Sequence, residues 1–294
     1  MIMIDYIKID PIVPREIWGA MALKKFLKID AETGEIIREE ATHKNLEMAY
    51  YPSGRLILKG SIHKSFNRGF NHDDFIISNL RSHIIELNSF LGIDLFRCQL
   101  RNVEYGVNIN PPIHSRKIIE GLLFYRSTEF KDMNYMSKGI CRKAEFERYQ
   151  IKCYDKRAQC LGHGIKIEPE ILRIEIHVNR MDYLGSTGIA TLGDLFYATK
   201  LDELREDLLA KWMGCLFFDP TVTPGKPGDQ NRLNQWSNAG YFRALREAKG
   251  GMKKVMREIK AFDEYMITHS ENIKQKVALL INAKWNQLSN SCQS

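Results

Sequence analysis

The stretch Tyr149-Gln150-Ile151-Lys152-Cys153-Tyr154-Asp155-Lys156 is the one on which the reading of this chain turns. Side chains of an extended strand alternate between its two faces. Gln150, Lys152, Tyr154 and Lys156 therefore share one face, and Tyr149, Ile151, Cys153 and Asp155 the other, which sets a tyrosine in a row of cations. Two further stretches are built to meet it. In residues 102–109, Glu104 and Asn108 oppose Val103, Tyr105, Val107 and Ile109; in 172–178, Arg173, Glu175 and His177 oppose Leu172, Ile174, Ile176 and Val178. If the three strands pair in one sheet over a common core, Glu104, Glu175, His177, Tyr154 and Lys156 converge on its other face. Tyr149 is then expected in the core.

The 294 residues suffice for a large core, as one big domain or two smaller ones. Lys and Arg number 43 against 36 Asp and Glu, a formal charge of +7 that tilts mildly toward a polyanionic partner. The six cysteines form no CxxC pair, which argues against a zinc ribbon or redox dithiol and for reduced thiols. With no signal-peptide layout and no apolar run near the ~20 residues of a membrane span, the expected location is the cytoplasm, away from membranes.

Along the chain, residues 1–9 read as an Ile-rich strand in which Asp5 is expected on a solvated sheet face, with a ligand role as the alternative. Hairpins follow at 23–39 and 46–61. In 59–75, Lys59, His63, Lys64 and Arg68 interleave with Phe66, Phe70 and Phe75, a mixture suited equally to a nucleic-acid backbone with stacked bases or to a polar connection. Helical spacing runs over 73–91, about 115–125 and 200–218, with a basic loop at 126–148. Strands with interposed helices and no regular βαβ repeat predict an α+β fold with a mainly antiparallel sheet core and packed helices over 1–222. After a linker rich in Pro and Gly, a helical C-terminal region is expected over 229–294, broken at Gly250-Gly251 and carrying a basic cluster of Lys249, Lys253, Lys254, Arg257 and Lys260.

Tyrosine is a poor nucleophile near neutral pH, with a free pKa of ~10. Neighbouring cations favour the phenolate, and a metal neutralises a phosphate under attack. Two carboxylates and an imidazole, here Glu104, Glu175 and His177, suit Mg²⁺ or Mn²⁺. Attack by Tyr154 on a phosphodiester would release a 3′-hydroxyl and leave a 5′-phosphotyrosine link, with Lys156 or Lys152 stabilising the transition state.

Three segments in order, RNVEYGVNI (101–109), YQIKCYDK (149–156) and LRIEIHVNRMDYLGSTGIATLGDL (172–195), resemble the rolling-circle replication initiators of the filamentous-phage gene II type and the trans-acting plasmid Rep family. GSIHKSFN (60–67) is similar to a segment that recurs in such proteins. The resemblance covers roughly 45–220 and implies a nicking endonuclease fold over 1–222. It also implies Tyr154 as nucleophile, Lys156 and Arg173 as phosphate-stabilising groups, and Asn108 as a further ligand beside Glu104, Glu175 and His177. These families replace the paired-histidine metal site of other rolling-circle endonucleases with carboxylates, and this chain has no His-apolar-His triplet. Origin DNA, single-stranded or hairpin, is the implied partner, contacted by Lys59, His63, Lys64, Arg68, Arg142, Lys143 and Lys152; a homodimer and a host helicase are compatible partners. The alternatives are a non-catalytic origin-binding protein, and a transposase or relaxase of a mobile element with the same chemistry.

Overall fold

The computed structural model describes residues 4–133, 139–248 and 250–289. In chain order, β1 (Ile4–Ile9), α1 (Arg15–Ala20), β2 (Phe26–Ile29), β3 (Ile36–His43), β4 (Leu46–Tyr50) and β5 (Leu56–Ser61) lead into α2 (Ile62–Phe66) and α3 (Ile77–Leu91). Then come β6 (Leu100–Ile109), α4 (Ser115–Gly121), β7 (Leu122–Tyr125), β8 (Thr128–Glu129), β9 (Lys131–Asp132), β10 (Cys141–Glu145) and β11 (Tyr149–Asp155). α5 (Lys156–Gly162), β12 (Leu172–Val178), α6 (Ala198–Met213), β13 (Cys215–Phe217), α7 (Asp229–Trp236), α8 (Ala239–Glu247), α9 (Gly251–His269) and α10 (Ile273–Ser289) complete the chain.

The fold is α+β. A ten-stranded antiparallel sheet runs β2-β3-β4-β5-β1-β6-β12-β11-β10-β9, so the three strands singled out by alternation lie side by side in its middle. Their apolar face meets α6 and α10: Leu201, Leu204, Leu208 and Trp212 from one helix, and Val277, Ile281 and Trp285 from the other, join Val103, Val107, Ile151, Ile174 and Ile176 in one core. Tyr149 is buried in that core against Phe146 and Tyr183.

Two helices end sooner than their periodicity predicts, and for one reason. Leu122–Tyr125 and Cys215–Phe217 leave their helices at Gly121 and Gly214 and pair with each other as β7 and β13. A short all-apolar run reads the same as a buried helix turn or a buried strand, so only the partner decides. The C-terminal region divides between two cores. α7, α8 and α9 pack on β7 and β13 through Leu233, Trp236, Phe242 and Phe262, whereas α10 returns to the main sheet. Residues 134–138 of the basic loop and Lys249 of the basic cluster lie outside the described residues.

Candidate functional site

The registers of β11, β12 and β6 build a grid on the face opposite the core. Gln150, His177 and Glu104 form one row, Lys152, Glu175 and Gly106 the next, and Tyr154, Arg173 and Asn108 the third. Gly106 is needed where it stands: a Cβ there would lie 2.2 Å from the Ile174 carbonyl oxygen and 2.8 Å from Glu175 Cβ.

β1 adds a residue the sequence reading put elsewhere. Asp5 does not lie on a solvated face; it is 4% exposed, and its carboxylate joins Glu104 and Glu175 in a group in which one oxygen from each lies within 4.8 Å of the others. The cause is a bulge. Ile4 pairs with Tyr105 and Tyr6 with Glu104, so the strand slips by one residue at Asp5 and turns it toward the polar face.

Around these carboxylates the polar groups are closely interlocked. The Tyr154 hydroxyl donates to Glu175 Oε2 at 3.3 Å. Lys152 Nζ donates to Glu104 Oε2 at 2.6 Å and Glu175 Oε1 at 3.1 Å, and His177 Nδ1 lies 3.1 Å from Glu104 Oε2. Arg173 is buried beneath them, donating to Asn108 Oδ1 (2.6 Å), Asp5 Oδ2 (3.1 Å) and the Asn71 carbonyl, with its guanidinium 5.7 Å from the Tyr154 ring centroid. Asn71 Nδ2 also donates to Asp5, at 2.9 Å.

Lys156 does not extend the strand. Asp155 accepts from the Ala158 amide at 2.8 Å and so caps α5, making Lys156 its first residue. The buried Lys156 amine reaches the site indirectly, donating to Asn71 Oδ1 at 2.7 Å and Gln159 Oε1 at 2.6 Å. Asn71 was not legible as a site residue: it comes from the connection between α2 and α3, and no local pattern points to it.

The electrostatics follow the contacts. Burial opposes the charge on Glu104, but Lys152 and then His177 outweigh it and hold the carboxyl at about 2. Glu175 goes the other way: burial and the neighbouring Glu104 push it up against Lys152 and Arg173. The opposite directions agree with geometry, since the one lysine they share lies closer to Glu104. Burial raises the Tyr154 phenol well above its ordinary value, with Arg173 pulling it down and Glu175 adding to the rise. The expectation that flanking lysines favour a phenolate is thus corrected: Lys152 is engaged by carboxylates, Lys156 by amides, and Tyr154 is a neutral donor.

Three carboxylates from neighbouring strands are a hard oxygen donor set, which fits Mg²⁺ or Mn²⁺. Asp5, Glu104 and Glu175 supply it. Asn108 does not, because its Oδ1 faces Arg173 and its buried Nδ2 has no partner among the described residues. His177 stands at the edge of the group through Glu104.

The expected DNA contacts are scattered. His63 is 1% exposed and stacked on Phe75 with ring centroids 4.7 Å apart, its pKa lowered to about 2 chiefly by burial, so it belongs to the interior and not to a DNA-facing surface. Arg142 is held by Asp132 and the Glu120 and Leu122 carbonyls, Lys143 by Glu145, and Lys59 by Glu47. Arg68 is exposed and Lys64 partly so. Among the described residues no helix is long and apolar enough to cross a membrane.

Fold and site together define an antiparallel-sheet protein with a tyrosine bonded into a buried carboxylate centre. No family model matches the chain, and no curated protein matches it significantly. Among solved structures it is similar to a rolling-circle replication initiator protein from Geobacillus stearothermophilus, with 11% identity and a TM-score of 0.43 over 88% of this chain and 96% of that one. At that level of similarity the site geometry, not the likeness, is what supports a function.

Proposed function

We propose that the chain is a site-specific single-strand DNA endonuclease and strand transferase that initiates rolling-circle replication, with Tyr154 as its nucleophile. The observation that carries this reading is the Tyr154 hydroxyl bonded to Glu175 Oε2 inside a group of three carboxylates. In the proposed reaction the phenol proton passes to Glu175, the carboxylate that the Tyr154 hydroxyl already faces. The Tyr154 oxygen bonds to phosphorus, the bond from phosphorus to the 3′-oxygen breaks, and the 3′-oxygen takes up a proton from solvent. The 5′-phosphotyrosine so formed keeps the phosphodiester bond energy, and attack by a 3′-hydroxyl reverses the step and rejoins the strand.

A Mg²⁺ or Mn²⁺ ion held by Asp5, Glu104 and Glu175 would supply Lewis-acid polarisation of the phosphate. Arg173 and Lys156 act through Asp5, Asn108 and Asn71 and are positioning residues. Lys64 and Arg68 are the basic side chains of the 59–70 segment best placed to meet the DNA backbone, and binding through them is salt-sensitive.

The test incubates the protein and Mn²⁺ with a library of single-stranded hairpin oligonucleotides and looks for a protein–DNA adduct on a denaturing gel. An adduct that a chelator abolishes is expected. Specific binding with no adduct would instead make the chain a non-catalytic origin-binding protein.

A further inference from the structure

Two cations face the three carboxylates, and they differ in how they are held. The Arg173 side chain is 2% exposed and fixed by the hydrogen bonds it donates to Asn108 Oδ1, Asp5 Oδ2 and the Asn71 carbonyl. The Lys152 side chain is 20% exposed, and both of its hydrogen-bond partners are the carboxylates themselves, Glu104 Oε2 and Glu175 Oε1. A lysine is a point charge on a flexible stem whose head can move to water while the stem stays packed. Counting these five groups alone, three carboxylates against two cations leave one net negative charge, so a divalent ion added with both cations in place would turn the set positive.

An ion such as Mg²⁺ bound to Glu104 and Glu175 needs oxygens at about 2.0–2.1 Å. Lys152 already holds one oxygen of each. Two cations sharing a pocket of low dielectric repel strongly, so ammonium and metal compete. We infer that Lys152 is an internal counter-ion that occupies the carboxylate centre in the metal-free protein and must leave it for a divalent ion to bind, which sets the metal affinity of the site. This rests on the metal centre proposed above. It assigns Lys152 a part distinct from direct DNA contact: it keeps Glu104 and Glu175 from repelling each other until the ion arrives.

Mn²⁺ binding to the full chain without DNA, followed by the paramagnetic resonance signal of free Mn²⁺, tests this apart from activity. Lys152→Gln removes the charge while keeping a side-chain donor for the carboxylates, and it is expected to bind Mn²⁺ on the order of tenfold more tightly than wild type. Lys152→Met should do the same and gain more thermal stability from Mn²⁺ than wild type does, because its carboxylates have lost their partner. Lys152→Arg, which keeps the charge, should bind no more tightly than wild type. Equal or weaker binding by both neutral variants, in proteins whose Mn²⁺ binding is lost on Glu104→Gln, overturns the counter-ion role and leaves the metal centre standing. Mn²⁺ binding that survives Glu104→Gln combined with Asp5→Asn overturns the metal centre and the counter-ion role together.

Discussion

Lys156 shows how one capping residue redirects a side chain. Its amine, buried and next to Arg173, is lowered from 10.5 to about 7. Between those values the unfolded chain carries a proton that the folded chain lacks, so the contribution of Lys156 is most unfavourable below about 7 and is relieved as pH rises. Stability measured by denaturant unfolding is therefore expected to rise from about pH 7 to about pH 10 in wild type relative to Lys156→Met, which lacks the titrating group. An identical pH dependence in the two proteins would contradict this. The alternation that set Lys152 and Tyr154 on one face was legible because β11 is regular through Asp155. It failed one residue later because Asp155 caps a helix, a competing role that its side chain fills as readily as a strand position.

At the scale of elements, β6 carries the tightest constraint. Gly106 lies opposite Glu175, where the strands approach too closely for any side chain. Gly106→Ala must push β12 away or tilt β6, and it is expected to destabilise by about 3 kcal/mol or more, with loss of Mn²⁺ binding. Chemical denaturation measures the first and metal titration the second; an unchanged midpoint would show that the strands give way freely. The polar faces of β6 and β12 were legible from period two alone, and Glu104 and Glu175 meet as that reading requires. Asp5 was not, because a bulge breaks the period at that residue and nothing in Ile-Asp-Tyr-Ile announces it. Asn108 was assigned to the right face but the wrong task, since alternation gives the direction of a side chain and not which neighbour claims its oxygen.

For the whole molecule, the chain closes on itself through α10. Trp285 is fully buried and meets the Tyr105 ring edge-on at 6.4 Å, on the core side of the strand that carries Glu104. Trp285→Ala is expected to cost about 3–5 kcal/mol, and a chain ending at residue 222 should lose cooperative unfolding by circular dichroism, because α10 covers part of the central sheet. A cooperative transition in that shortened chain would show the first 222 residues to be self-sufficient. The helical character of the C-terminal region was legible from periodicity. Its division between two cores was not, because the faces of α10 and α9 are both apolar and their partners lie far away in sequence.

The central claim concerns one oxygen atom among several tyrosines, and peptide mapping of the covalent adduct tests it most directly. After proteolysis and nuclease trimming, mass spectrometry should find a nucleotide 5′-phosphate on the peptide containing Tyr154, and Tyr154→Phe should form no adduct while still binding the oligonucleotide. A nucleotide found on another residue, such as Tyr6 or Tyr183, or an adduct that persists in Tyr154→Phe, would contradict it.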